Sequence, residues 1–344
     1  MNRQKWLQLA GYNTFFWLCF WLFAYWSFPY QRLAAFITDK VNESGSGYTL
    51  EIGGLSPYWV SGVELEQVQI RKTAAEALAV PEGEKPKPAQ AIQIETAQAR
   101  IGIFGLLFGT RSVSFSAELG SGTVEGNFRE QGEDKKVVAE LEGVDLAKFA
   151  LLESLVALPM KGVLKGDFDL TLGKVPTKTQ GSVKLGIDKL VIGDGKAKLK
   201  LGAMGGLTID PIDAGAVVVD IDVKDGVGTV RKLTAAGSDL KLNGSGDVRF
   251  AQPLARSRLN MMLKLNLTDS YRNKSNRTKA MFMMLDSGGA PQVAAAKTND
   301  GGFQFRLSGP FTSVRALPAG QAPLAAPGAP AAPALGPQPG DEEE

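Results

Sequence analysis

Histidine is absent from the 344 residues, and cysteine occurs once, at Cys19. The chain cannot close a disulfide on itself, and it holds no Cys/His set for zinc. A Ser-His-Asp or Cys-His nucleophile system is excluded with them. An excess of one charge is also missing: 38 basic residues stand against 36 acidic ones, a formal net charge of +2. The two signs are interspersed, so no basic field is available for nucleic acid. Phosphate loops are lacking too. The glycine-rich stretches Gly195 to Gly206 and Gly237 to Gly246 have neither the G-x-x-x-x-G-K-S/T pattern nor a strand–G-x-G-x-x-G–helix setting, and they read as hairpin turns. No acidic calcium loop with its central glycine occurs. Asp167 with Asp169, and Asp220 with Asp222, are carboxylate pairs of the kind a glycosidase sets across a cleft. They occupy the polar register of regular strands, however, and read as solvated. The expectation is a protein that is not an enzyme and needs no cofactor.

Apolar sequence is concentrated at the start. Leu9 to Phe28 reads LAGYNTFFWLCFWLFAYWSF, and no charged residue lies between Lys5 and Arg32. As a helix this stretch is about 30 Å long, the thickness of a bilayer's hydrocarbon core. Trp6 at one end and Tyr25, Trp26 and Tyr30 at the other suit the two interfaces, and Trp17, Trp21 and Trp26 are the expected anchoring rings. The stretch is long for a signal-peptide core and lacks a small-residue cleavage site. Residues 1–29 are therefore expected to be an uncleaved single membrane span. Its N-terminus is expected on the cytoplasmic side, with the β-rich body outside.

Residues 30–43 place Leu33, Phe36, Ile37 and Val41 on one helical face, either to cap the first strand or to ride on the membrane surface. From 44 to 315 the chain alternates apolar and polar residues. Tyr48, Leu50 and Ile52 form a first strand that Gly53-Gly54 is expected to turn, and Val63, Leu65, Val68 and Ile70 form a second. Residues 73–90 are a polar, proline-rich loop. Ile103 to Phe108 is a short apolar stretch, read as a buried turn or strand start rather than a membrane-dipping loop. Asp145 is expected to cap a helix through Leu158, which Pro159 stops. Beyond it, Leu164 to Leu172, Val183 to Ile187, Val217 to Val223, Leu259 to Leu267 and Phe303 to Leu307 repeat the strand pattern. Turns are expected at Gly193-Asp194-Gly195, Asp225-Gly226 and Asn243-Gly244-Ser245-Gly246. Residues 268–302 interrupt the series with a helix expected over Thr278 to Leu285. Residues 316–344 read as a disordered Ala/Pro-rich acidic tail.

The fold class is thus mainly β: a long, curved, mostly antiparallel sheet with one apolar face and a few short helices. Few helices are available to cover that face, so the sheet folds on itself or leaves a groove open. Phe168, Leu170, Val219, Ile221, Leu263 and Leu265 are its candidate lining. Tyr58 and Trp59, bulky residues in a hairpin loop, are candidate protein-contact anchors; a loop folded over the sheet edge or the membrane surface is the alternative.

One family resembles this arrangement. An aromatic-rich span, a post-span amphipathic helix and then YTLEIGGLSPYWVSGVELEQVQIRK resemble GspN, the N component of the bacterial type II secretion system. Leu55-Ser56-Pro57, Gly62-Val63-Glu64-Leu65 and Val68-Gln69-Ile70 carry most of the likeness. LPMKGVLKGDFDLTL, GSVKLGIDKLVIGDG, AAGSDLKLNGSGDVRF and FQFRLSGPF are similar to the same family and to the wider AsmA-like group. The resemblance covers roughly residues 1–315 and brings no catalytic residues. It implies a bacterial inner-membrane protein with a periplasmic domain, whose partners are other type II secretion components. The AsmA-like likeness implies, as the alternative, phospholipid carried along an apolar β-groove.

Overall fold

The computed structural model describes residues 3–43, 48–59, 61–72, 91–103, 105, 108–148, 158–196, 198–200, 206–251, 256–287, 291–311 and 313–320. The polar loop expected at 73–90 lies outside them, as do the tail beyond 320 and most of the helix expected after Asp145. Two helices open the chain, α1 (Arg3–Ser27) and α2 (Tyr30–Glu43). The first seven strands are β1 (Tyr48–Tyr58), β2 (Gly62–Lys72), β3 (Ala91–Ile101), β4 (Thr110–Leu119), β5 (Gly122–Gln131), β6 (Asp134–Asp145) and β7 (Met160–Leu172). Then come β8 (Gln180–Ile192), the short β9 (Lys198–Lys200) and β10 (Gly206–Thr208), β11 (Ile212–Lys224), β12 (Val227–Ala236), β13 (Leu240–Arg249) and β14 (Arg258–Leu267). Three helices, α3 (Asp269–Arg272), α4 (Asn276–Asp286) and α5 (Pro291–Ala294), precede β15 (Phe303–Pro310) and β16 (Arg315–Pro318).

Fourteen of the strands form one antiparallel sheet in sequence order, with β9 and β10 pairing separately beside it. The class read from the sequence is therefore found in its coarse form: mainly β, one long sheet, few helices. The alternation is visible in β7, where Lys161, Val163, Lys165, Asp167 and Asp169 are exposed while Leu164 is buried and Phe168 and Leu170 are half-buried. Successive side chains point to opposite faces, so this pattern can pair in only one register without burying charge.

Several local expectations are corrected. Gly53-Gly54 does not turn the chain; β1 runs through both, and the turn comes at Trp59, which sits at φ 53° in the left-handed region that bulky residues seldom adopt. Asn243 to Gly246 is not a turn either, but the middle of β13. Asp145 ends β6 and its carboxylate accepts the Ala147 N–H at 3.0 Å above a 3-10 turn at Leu146–Lys148. The helix expected over 278–285 is α4, extended to 276–286 and joined by α3 and α5. Part of the expected tail is ordered, because Arg315–Pro318 pairs with β15 as β16.

α1 is 25 residues long. Yet no helix among the described residues is long and apolar enough to cross a membrane, which departs from the span read in the sequence. Aromatic content is the reason. Trp and Tyr carry N–H and O–H groups that lower whole-residue hydropathy, and Gly11 and Asn13 dilute the stretch further. α2 lies along β1 and seals its edge: the Asn42 side chain accepts the Leu50 N–H at 2.7 Å and donates to the Leu50 carbonyl at 3.3 Å. Those two groups would otherwise be open to a foreign strand.

Candidate functional site: the apolar sheet face and its two ends

Cross-strand register assigns the faces. Pro57 pairs with Val63, and the row continues through Ala99, Phe115, Gly126, Ala139, Phe168 and Val183 to Ile221. A parallel row runs from Ile101 through Val113, Phe128, Val137, Leu170 and Gly181 to Val223. Another joins Leu65, Ala97, Ala117, Val124, Leu141, Gly166, Leu185 and Val219. Leu263, opposite Gly244, and Leu265, opposite Leu242, fall on the same face. All six residues read from the sequence as groove lining therefore share one face.

Glycines in these rows make room for large neighbours. A Cβ on Gly126 would lie 2.4 Å from the Phe115 ring, and one on Gly244 would lie 2.3 Å from the Leu233 side chain. Phe115 and Leu233 thus lie flat across their neighbouring strands, which smooths the apolar surface. The opposite face carries charge in register: Asp167 faces Lys184, which faces Asp220, which faces Lys232. Asp222 bonds Arg231 at 2.7 Å, and Lys136 lies 3.1 Å from Asp169. The guanidinium of Arg231 holds the Asp222 carboxyl below the usual range. The carboxylate pairs flagged in the sequence are thus cross-strand charge partners on a wet face.

The face is covered unevenly. In β11 to β13 Val223 and Val230 at 1% exposure and Val248 at 5% are buried, while Val219, Ile221 and Leu233 stay half-buried. From β2 to β7 the matching positions, Val63, Phe115, Phe128 and Phe168 among them, are only half-buried. At the C-terminal strands the insertion forms a helical cap. Beside the sheet's main core, which joins Leu119, Val144 and Leu164 to Val217, Ala235 and Leu240, Tyr271, Met281 and Phe282 of the cap pack with Leu158, Ile209, Ala296 and Phe303 into a second core. Full burial of each large side chain stabilises by about 1.5–3 kcal/mol.

Polar contacts fix where the cap docks. The Tyr271 hydroxyl donates to the Asp210 carbonyl at 2.9 Å, and burial together with the Asp210 and Asp239 carboxylates pushes that phenol well above its ordinary pKa. Lys274 donates to the buried Asp239 carboxylate at 2.6 Å, and Ser275, the N-cap of α4, donates to Asp210. Farther out, Lys264 pairs with Asp300 at 2.7 Å and lowers its pKa to about 2. Lys297 pairs with Asp286 at 2.7 Å and also lowers it.

The other end of the face meets the N-terminal helices. There a pocket of about 710 Å³ opens between α1, α2 and the tip of the β1–β2 hairpin, lined by Leu18, Trp21, Tyr25, Leu33, Trp59 and Val63 among others. Tyr58 and Trp59 are not one contact patch. Trp59, 67% exposed, lines this pocket, with the Arg100 guanidinium 5.8 Å from its ring centroid. Tyr58 is half-buried and lines a polar cleft of about 550 Å³ with Gln98, Arg100, Glu125 and Asn127. Of the expected anchoring rings, Trp21 lines the apolar pocket, Trp17 packs edge-on against Phe16 and Phe20, and Trp26 is 87% exposed. In an antiparallel meander, alternate connections share an end of the sheet. The connection after β3 therefore lies beside Trp59, and the Ile101 N–H donates to the Ser61 carbonyl at 3.0 Å. This connection is not a buried turn at the positions described, since Phe108 is 85% and Ile103 45% exposed.

The pocket and the cap's docking site escape sequence reading because both are made by residues far apart in the chain. Bulky Trp59 was the one signal pointing at the first of them. No family model, curated protein or solved structure matches the chain.

Proposed function

We propose that this chain is a membrane-anchored, non-enzymatic envelope protein that shelters phospholipid acyl chains on the apolar face of β2 to β8. The observation that carries this reading is the apolar register row from Val63 through Ala99, Phe115 and Ala139 to Phe168, whose side chains stay half-buried. A contiguous apolar surface of that kind on a folded chain marks a lipid or partner site. α1 is the anchor in this reading. Exposed apolar or aromatic side chains occupy consecutive positions, Phe15 to Leu18 and Phe20 to Phe23, so every side of the helix presents them. A helix hydrophobic all round belongs inside a core or a bilayer. The body then stands in the periplasm of a bacterial cell, with the N-terminus in the cytoplasm.

The test replaces Phe168 and Leu170 together by Gln in the full-length protein, purified in mild detergent. Extracted phospholipid per protein is expected to fall several-fold while far-ultraviolet circular dichroism stays unchanged. Equal phospholipid in the variant and the parent sinks the reading.

A second reading is favoured by Trp59, a bulky ring 67% exposed at a hairpin tip inside the segment that resembles GspN. In it the chain is a scaffold of the type II secretion machinery, contacting other components there. The measurement is substrate activity in medium and periplasm of a strain lacking the protein. Substrate trapped in the periplasm behind an intact outer membrane supports it; normal secretion removes it.

A further inference from the structure

We infer that acyl chains load onto the sheet through the pocket between α1, α2 and the β1–β2 hairpin tip, and that the groove is blind at its far end. This rests on the lipid-sheltering reading above.

Three observations carry it. First, the pocket has one wall on the helix proposed as the anchor and one on the sheet. Leu18, Trp21 and Tyr25 come from α1, Leu33 from α2, and Trp59 and Val63 from the hairpin. At about 710 Å³ it lies within the size range of small-molecule sites, and its lining is overwhelmingly apolar. Second, Val63 is both a wall of the pocket and the second member of a register row. From it Ala99, Phe115, Gly126, Ala139 and Phe168 follow on one face, with Gly126 leaving the Phe115 ring flat. An acyl chain entering between the helices meets no charged side chain along that row. Third, the same row ends in covered positions. Val183 at 8% and Val230 at 1% exposure are buried, so the row is filled where it crosses β8 and β12.

The occupant follows from the surroundings. Exposed Ile103 and Phe108 stand at the same end as Trp59, so this rim suits the boundary between headgroups and hydrocarbon. Arg100, stacked on Trp59 and bordering the polar cleft beside Tyr58, offers a guanidinium to a phosphate at the mouth. A phospholipid matches both: tail toward Val63, phosphate toward Arg100. A groove with one mouth holds a fixed number of lipids and returns them where they entered. It does not pass them along to a second exit.

The experiment uses the full-length protein in proteoliposomes of phosphatidylethanolamine and phosphatidylglycerol containing a phospholipid with a clickable acyl tail. A photoreactive phenylalanine analogue replaces Phe168, or Leu259 beyond the covered strands as a far-end probe. Both carry Cys19→Ser and Ser61→Cys, and the introduced thiol at the mouth of the pocket is alkylated with a bulky maleimide after folding, before lipid is added. Lipid cross-linking at position 168, several-fold weaker after alkylation, and none at position 259, is the expected result. Equal labelling at 168 with and without alkylation overturns the port while leaving the sheltering function standing. Labelling at 259 equal to that at 168 overturns the blind end. No labelling at 168 in unalkylated protein overturns the sheltering function itself.

Discussion

The N-terminal and C-terminal strands share one pleat, one register and one apolar face, yet they bury it differently. From β11 onward, Val217, Val223, Val230, Ala235, Leu240 and Val248 are each 7% exposed or less. Across β2 to β7 the row through Val63, Phe115 and Phe168 stays half-buried, while toward the other strand ends Leu119, Val144 and Leu164 are buried in one core with Val217, Ala235 and Leu240. Composition does not distinguish the halves, since Phe115, Phe128 and Phe168 are larger than the valines that are covered. The C-terminal strands carry a helical cap, tied down through Asp210 and Asp239, at the ends where Ile192, Ile212, Leu267 and Phe303 lie; α1 and α2 meet the N-terminal strands at their first hairpin. A sheet of uniform pattern thus becomes a stable end joined to an open one.

Truncating matched aromatics breaks that comparison most sharply. Phe282→Ala, in the core of the cap, is expected to cost about 3–5 kcal/mol of stability. Phe168→Ala, on the open stretch, is expected to cost on the order of 1 kcal/mol, because its ring is only half withdrawn from water. Denaturant melts of the two variants measure the difference; equal losses remove the distinction between the halves.

A smaller effect separates smoothness from cover. Gly126→Ala places a Cβ 2.4 Å from the Phe115 ring and 2.7 Å from the Val138 carbonyl oxygen. Phe115 must lift and the strand must shift, at about 1–3 kcal/mol. Lipid retained on purification is expected to drop along with stability. Gly132→Ala, where a Cβ meets no atom within 4 Å but φ is +64°, is expected to cost stability without touching lipid. Loss of lipid in both variants would show that retention follows stability and not the shape of the face.

The smallest expected effect is on acid stability. Lys264 lowers Asp300 to about 2, and Lys297 lowers Asp286. A carboxyl whose folded pKa lies below its unfolded value binds its proton more readily when unfolded. The stabilisation is therefore complete above about pH 4 and fades as pH falls toward about 2. Both groups are exposed, so salt weakens the effect. Hydrogen exchange of the α4 amides is expected to quicken over that window while β4 and β5 amides follow only global stability. Equal acceleration in both places would deny that these pairs hold the cap.

Much of the sheet was legible because a strand's evidence is local. In β7 and β11, Leu164 to Leu172 and Val217 to Val223 alternate with polar residues, and that alternation alone chooses the faces. Glycine was the poorer guide. Asp225-Gly226 does turn the chain, with both residues at positive φ. Gly244 sits mid-strand because Leu233 and Leu263 need its space. A glycine that frees the backbone and one that admits a neighbour look the same in sequence. Tyr58 and Trp59 are adjacent in the chain, but Tyr58 closes β1 and lines a polar cleft, while Trp59 sits in the turn at positive φ and lines an apolar pocket.

The sequence by itself determined the strands, their apolar face, the aromatic helix at the start and the helix of the insertion. Each depends on the period of side chains along a few residues, which the backbone's own geometry converts into a face. Only the tertiary structure decided which length of that face is covered. Coverage depends on where Tyr271, Lys274 and Ser275 find Asp210 and Asp239, and on how α1 meets Trp59. Those are contacts between distant parts of the chain, chosen by shape and by the cost of leaving a buried polar group without a partner.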